Sequence, residues 1–257
     1  MYRLKHTIIL LILVFVINGS CRNIFRKDLS LTPQQYTQLG MPTYNAIWSE
    51  KDFQKAQNAI NSVIIKNFYS LPKKGSIRSG NLFRRIVSKD NLSFLEDTTI
   101  SLQEKAYRIQ SLGNMMGQMG TLYTDKIKIR QYYSQELVDI YVAHLYIRGK
   151  MLELADKINK SARQEEIMMQ SGRKGIVSSY IMLISFLVSE QEKTEAFPAP
   201  DLRRLNREIL NSLSLNMQYL DADSKQRIYD AIKNSLEKSK SGFRSKSLKN
   251  SLRLLDE

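Results

Sequence analysis

The chain has 257 residues, with 39 Lys plus Arg against 25 Asp plus Glu, a net charge of +14 and a single cysteine. Five prolines and 11 glycines are few for a turn-rich β fold and favour helices. A lone cysteine excludes a disulfide framework and a cysteine-built zinc site, so the body depends on its hydrophobic core, which a chain of this length can bury.

In chain order, Arg3 and Lys5 precede a continuous apolar run from Ile8 to Ile17, and the small residues Gly19 and Ser20 follow it. This is the layout of an export signal. The run is short for a spanning helix, which needs about 20 apolar residues, so a cleaved leader is favoured over a permanent anchor. Ile17-Asn18-Gly19-Ser20-Cys21 resembles the lipobox of bacterial lipoproteins, with Gly19 and Ser20 at its small-residue positions. The resemblance covers the leader alone. It implies cleavage before Cys21 and a diacylglycerol thioether on its sulfur. Several acyl chains, at about 0.8 kcal/mol per buried methylene, hold a protein on a membrane where one does not. An ordinary secretory signal and an uncleaved tether are the competing readings, and both also put the body outside the cytoplasm. The expected location is the cell envelope, lipid-anchored and periplasm-facing. The outer membrane is favoured over the inner, because no Asp follows Cys21 directly.

Residues 21–31 read as a lipidated tether, residues 32–240 as a helical domain and residues 241–257 as a basic C-terminal tail with a short amphipathic pattern at Leu248, Leu252 and Leu255. Removing Arg3 and Lys5 with the leader leaves +12 of the +14 charges. In the cytoplasm that balance would point to nucleic acid. In the envelope it points to anionic headgroups, acidic polysaccharide or an acidic protein, and nucleic acid is not expected as a partner.

Thr32-Pro33 predicts a brief helix that Pro42 interrupts. Ser49 to Asp52 form a capping box before Phe53, Ala56, Ile60, Val63 and Ile64 at helical spacing, and this helix should end before Pro72. Leu71 to Asp90 read as irregular. Lys73, Lys74, Arg78, Arg84, Arg85 and Lys89 cluster there with no acid before Asp90. Gly75 and Gly80 are spaced like phosphate-loop glycines, but Asn81-Leu82 stand where Lys and Ser/Thr belong, so a nucleotide loop is rejected. The cluster is the candidate site for an anionic ligand or partner, against the alternative of a solvated basic loop.

Ser101 to Glu104 form a second capping box. The helix behind it runs into Gly113, Gly117 and Gly120 among Met115, Met116 and Met119. Either it breaks there or another helix packs closely on the glycine face. The methionines read as core or as an adaptable apolar surface. From Tyr133 to Ile158, apolar residues alternate in steps of four and three, which predicts a long heptad-patterned helix of a bundle. His144 falls inside this seam as a hydrogen-bonded core residue, without the second His of a metal site. Gln170 to Gly175 read as a break. The apolar Ile176 to Val188 segment predicts a central helix, and Phe197 to Pro200 a stiff connector. Asp201 and Asp223 should start the two helices of a C-terminal hairpin.

The expected fold is therefore all-α, a multi-helix bundle. No catalytic set, metal site or cofactor motif emerges. Glu165-Glu166 point different ways on a helix, and Asp221/Asp223 sit at a helix start. The leading functional expectation is a membrane-anchored helical interaction or scaffold protein with a protein partner in the envelope. A narrower form is an accessory of an envelope-spanning secretion or conjugation assembly, by architectural analogy alone. The alternative is a binding protein for an anionic lipid, lipopolysaccharide or glycan. An enzyme is disfavoured because no set of catalytic roles is recognisable.

Overall fold

A computed structural model describes residues 28–124, 127–157, 163–189 and 197–238, together with Lys249 and Arg253. Among these residues the fold is all-α, with no strand. The helices are α1 (Pro33–Gln38), α2 (Glu50–Lys66), α3 (Gly80–Ile86), α4 (Leu102–Thr124), α5 (Ile127–Tyr132), α6 (Ser134–Lys157), α7 (Arg163–Ser189), α8 (Ala199–Asn216) and α9 (Ala222–Lys238). Short 3-10 turns cover Phe68–Ser70, Lys89–Leu95 and Met217–Tyr219.

Local chemistry sets the first starts. Thr32 and Ser49 each close a reciprocal capping box, with Gln35 and Asp52 respectively. Ser101 Oγ accepts from the Glu104 amide at the head of α4. Asp221 caps α9 by accepting from the Ser224 amide at 2.9 Å, two residues ahead of the expected Asp223. Pro198 to Pro200 do not form a separate connector. They lead directly into the first turn of α8, where proline's missing N–H costs nothing.

α6 is the hub. It packs against α4, α7 and α8, while α2 covers α4 and α9 covers α7. Because it is enclosed on several sides, its buried residues exceed any heptad seam: Leu137, Val138, Ile140, Tyr141, Leu145, Ile147, Met151 and Leu152 are all core. The last two helices differ from the expected hairpin. α8 takes α6 as its main partner and α9 takes α7, since each apolar face, Leu202, Leu205, Ile209 and Leu213 or Ile228 and Ile232, finds a separate groove.

Neither glycine-rich stretch breaks a helix. α4 runs straight through Gly113, Gly117 and Gly120, and α7 through Gly172 and Gly175. The glycines allow close approach. A Cβ on Gly117 would lie 3.2 Å from His144 Cε1, one on Gly120 2.9 Å from Tyr141 Cε1, and one on Gly175 3.1 Å from an Arg148 guanidinium nitrogen. The local propensity cost of about 1 kcal/mol per glycine is offset by tertiary packing. No described helix is long and apolar enough to cross a membrane. Cys21 and residues 241–257, apart from Lys249 and Arg253, lie outside the described residues.

Candidate functional site

The basic segment is not wholly irregular. α3 forms inside it because Leu82, Phe83 and Ile86 bury one face. Ser79 precedes α3 without capping it, as its Oγ already accepts from the Lys73 amide at 2.9 Å. The loop ahead of α3 is held from below by three buried tyrosines. Tyr36 donates to the Ser70 carbonyl at 2.6 Å, Tyr133 to the Leu71 carbonyl at 3.2 Å and Tyr123 to the Pro72 carbonyl at 2.8 Å. The Lys74 amide then donates to buried Glu136 at 2.6 Å. Ser70, Leu71, Pro72 and Lys74, ahead of Gly75, which turns the chain at φ +76°, are thus fixed by side chains from α1, α4 and α6 and the residue between α5 and α6. A buried polar scaffold of this kind satisfies backbone groups that an irregular segment would leave unpaired.

The six basic residues separate on this scaffold. Arg78 reaches the Ser30 carbonyl at 3.4 Å, and Arg85 the Tyr44 carbonyl at 3.2 Å and Asn91 at 3.5 Å, so both serve structure. Lys73 lies over the Tyr132 ring at 3.7 Å. Lys74, Arg84 and Lys89 converge on one cavity of about 280 Å³. Lys74 pairs with Asp139 at 2.8 Å, and Asp139 also takes Arg204. Arg84 contacts neutral Asn81. Lys89 stands 4.5 Å from the Tyr146 ring centroid, a cation–π contact. Among the described residues no carboxylate forms an ion pair with Arg84 or Lys89.

Beneath these exposed cations the lining is mostly apolar, with Ser88, Asn91 and Asp139 as its other polar residues. Phe53, Phe83, Leu92, Leu112, Met116 and Ile147 are buried, and Val87, Val142 and Ala143 are half-buried along its wall. The sequence pattern marked the cations and set Phe53, Leu112, Met116 and Ile147 on apolar helix faces, but did not bring them together as one lining. The lining residues come from α2, α3, α4, α6 and the Lys89–Leu95 turn, and share no sequence motif. Asp139 and Tyr146 carried no sequence signal beyond being polar-tipped neighbours of the α6 core stripe.

His144 and Arg148 form a second polar site, in the glycine-walled seam between α4, α6 and α7. Ser179 donates its hydroxyl proton to the Gly175 carbonyl at 2.8 Å, so the 2.7 Å contact with His144 requires Nε2–H to donate. Nδ1 is left as a bare, buried nitrogen without a well-formed hydrogen bond. Arg148 donates to Asn114 at 2.7 Å, while its Nε has no partner. Among the described residues there is no group of three or more His, Cys, Asp or Glu arranged to hold a metal.

Burial raises the Glu136 carboxyl to about 7, against the opposing pull of its own amide, the Lys74 amide and the Lys73 charge and with a further push from Asp139. Burial lowers His144 to about 4, helped by the Arg148 charge and opposed weakly by the Gly113 carbonyl. The two act on stability with opposite signs. Glu136, raised from 4.5, contributes fully below pH 4.5, and its contribution is lost as pH rises through 7. His144, lowered from 6.5, contributes nothing against folding above pH 6.5 and destabilises the fold as pH falls towards 4. Between pH 4.5 and 6.5 the two slopes largely cancel. Glu136→Gln should therefore expose the His144 slope, a loss of about 2 kcal/mol on acidification across that window. His144→Gln should expose the reverse, a gain of similar size. Urea unfolding at both pH values measures each, and parallel behaviour of the two variants would refute the assignment.

Comparison with protein-family models, with curated proteins and with solved structures finds no match for this chain.

Proposed function

We propose that this chain is a lipid-anchored protein of the bacterial cell envelope whose helical body binds an anionic envelope ligand at the cavity under Lys74, Arg84 and Lys89. One observation carries the reading: three side chains from a basic cluster meet at one apolar-floored cavity, and two of them have no carboxylate partner among the described residues. An unneutralised pair of cations at the mouth of a hollow attracts anions more strongly than the same charges spread over a convex surface. The tyrosine and Glu136 scaffold holds the loop that carries Lys73 and Lys74, so that part of the site is built before any ligand arrives.

This reading is preferred to a purely scaffolding role. The exposed large apolar side chains among the described residues include Ile47, Ile77, Tyr107, Met182 and Leu215. Ile47 borders one groove with exposed Leu102, while Tyr107, Met182 and Leu215 stand on three separate helices, as on ordinary protein surfaces. The test is elution of the detergent-solubilised full chain from a phosphate-bearing resin in a salt gradient. Arg84→Glu/Lys89→Glu should elute at clearly lower salt than the wild type, because opposed charges near a surface are screened over about 10 Å at 0.1 M salt. Unchanged elution would remove the rim from the account.

A further inference from the structure

We propose that the cavity takes the hydrocarbon chain of a fatty carboxylate, with the carboxylate between Arg84 and Lys89 and the chain against Phe53, Leu112, Met116 and Ala143. This deepens the anionic-ligand reading and rests on it.

Three observations select this ligand from the anions an envelope contains. The first is the division of the lining by depth. Lys74, Arg84 and Lys89 are exposed, whereas Phe53, Phe83, Leu112 and Met116 are buried. Ser88, Asn91 and Asp139 are the only other polar residues of the lining, so a glycan or a free phosphate seated under the cations would set most of its polar groups against carbon, and an unpaired polar group in an apolar setting costs about 1 to 3 kcal/mol on mutational evidence. An alkyl chain there gains burial instead. The second is size. About 280 Å³ falls just under the roughly 300–1,000 Å³ of most small-molecule sites, which suits one chain and not two. The third is the count of available charges. Asp139 already engages Lys74 and Arg204, which leaves Arg84 and Lys89 for the ligand. A carboxylate can accept two parallel N–H bonds from one guanidinium while a lysine closes the other side, a geometry that favours a small planar anionic head.

The test uses the full chain in its own membranes. A dodecanoate analogue with a diazirine at the end of its chain is photolysed, and the labelled segments are mapped by mass spectrometry. The corresponding alcohol, with the same chain and no charge, is the comparator. Label from the carboxylate should concentrate on residues 112–116 and 142–147 and be displaced by dodecanoate. The alcohol should label the same segments about tenfold less, the factor that loss of one charge-assisted contact gives. Ala143→Phe should abolish the cavity label. Ala143 is half-buried at the cavity wall, so the larger ring fills a void instead of overpacking the core. Val87→Phe, on the α3 side, is the second variant if the first does not fold. Both leave the Lys74, Arg84 and Lys89 side chains in the sequence, and the elution of each from the phosphate resin is read beside its labelling. If elution still depends on Arg84 and Lys89 but these segments take no label, or Ala143→Phe leaves the label unchanged, the fatty-carboxylate inference is overturned and the anionic-ligand reading survives. If elution ignores the rim, both fail together.

Discussion

Tyr123→Ala should lower stability by about 3 to 5 kcal/mol, the range for removing a large aromatic side chain from a packed core. Tyr123 is fully buried, in edge contact with Tyr133 at 5.4 Å and Phe83 at 6.3 Å between ring centroids. Its loss leaves a cavity at the meeting of α3, α4 and the start of α6. It also strands the Pro72 carbonyl, which its hydroxyl satisfies at 2.8 Å. Tyr123→Phe separates the two contributions. It keeps the ring and removes only the hydrogen bond, so about 1 to 3 kcal/mol should be lost. The midpoint of urea unfolding reads both. A loss under about 1 kcal/mol for Tyr123→Ala would mean that the tyrosine trio does not knit the basic loop to the core. Because Pro72 directly precedes Lys73 and Lys74, both variants should also loosen that side of the rim.

Cys21→Ser should abolish acyl labelling of the chain and release its body from the membrane fraction. The anchor of a lipobox-like leader is the acyl group carried by one sulfur, and serine offers no thioether. With each buried methylene worth about 0.8 kcal/mol, removal of two or three chains takes away most of the attraction to the membrane. The substitution leaves the described core, from Tyr36 to Ile232, unaltered in sequence, so the body should unfold at the wild-type urea concentration. Acyl label retained by this variant would show that the lipid is attached elsewhere or that the leader has been misread.

The helical class was legible because it rests on local features. Thr32 and Ser49 announce helix starts through hydrogen bonds within three residues, and apolar spacing marks the buried faces of α2, α4, α6 and α7. What was missed depends on distant partners. Gly172 and Gly175 look like a break until Leu152 and Arg148 from α6 occupy the space their missing side chains leave. α3 stayed hidden because its seven residues carry two arginines and an uncapped start, and its three apolar residues gain their burial only against the rest of the fold. Asp223 seemed the better cap because it stands two residues nearer the apolar stripe, yet Asp221 makes the bond and also pairs with Arg173 at 3.1 Å.

The candidate site divides in the same way. The basic cluster is contiguous in sequence and was visible as charge. Its sorting into structural arginines, Arg78 and Arg85, and rim cations, Lys74, Arg84 and Lys89, follows from the positions of Ser30, Tyr44, Asp139 and Tyr146. The apolar floor draws on α2, α3, α4 and α6 and could not be assembled before the helices were packed.

Charge alone and charge placed at the cavity make different predictions for one pair of variants. Arg84→Glu/Lys89→Glu and Arg227→Glu/Lys233→Glu change the net charge equally, but the second pair lies on exposed positions of α9 away from the cavity lining. The rim account requires the first to leave a phosphate-bearing resin at distinctly lower salt than the second, with the second close to wild type. Coincident elution of the two variants would contradict it, because retention would then follow the overall positive charge and not the cavity.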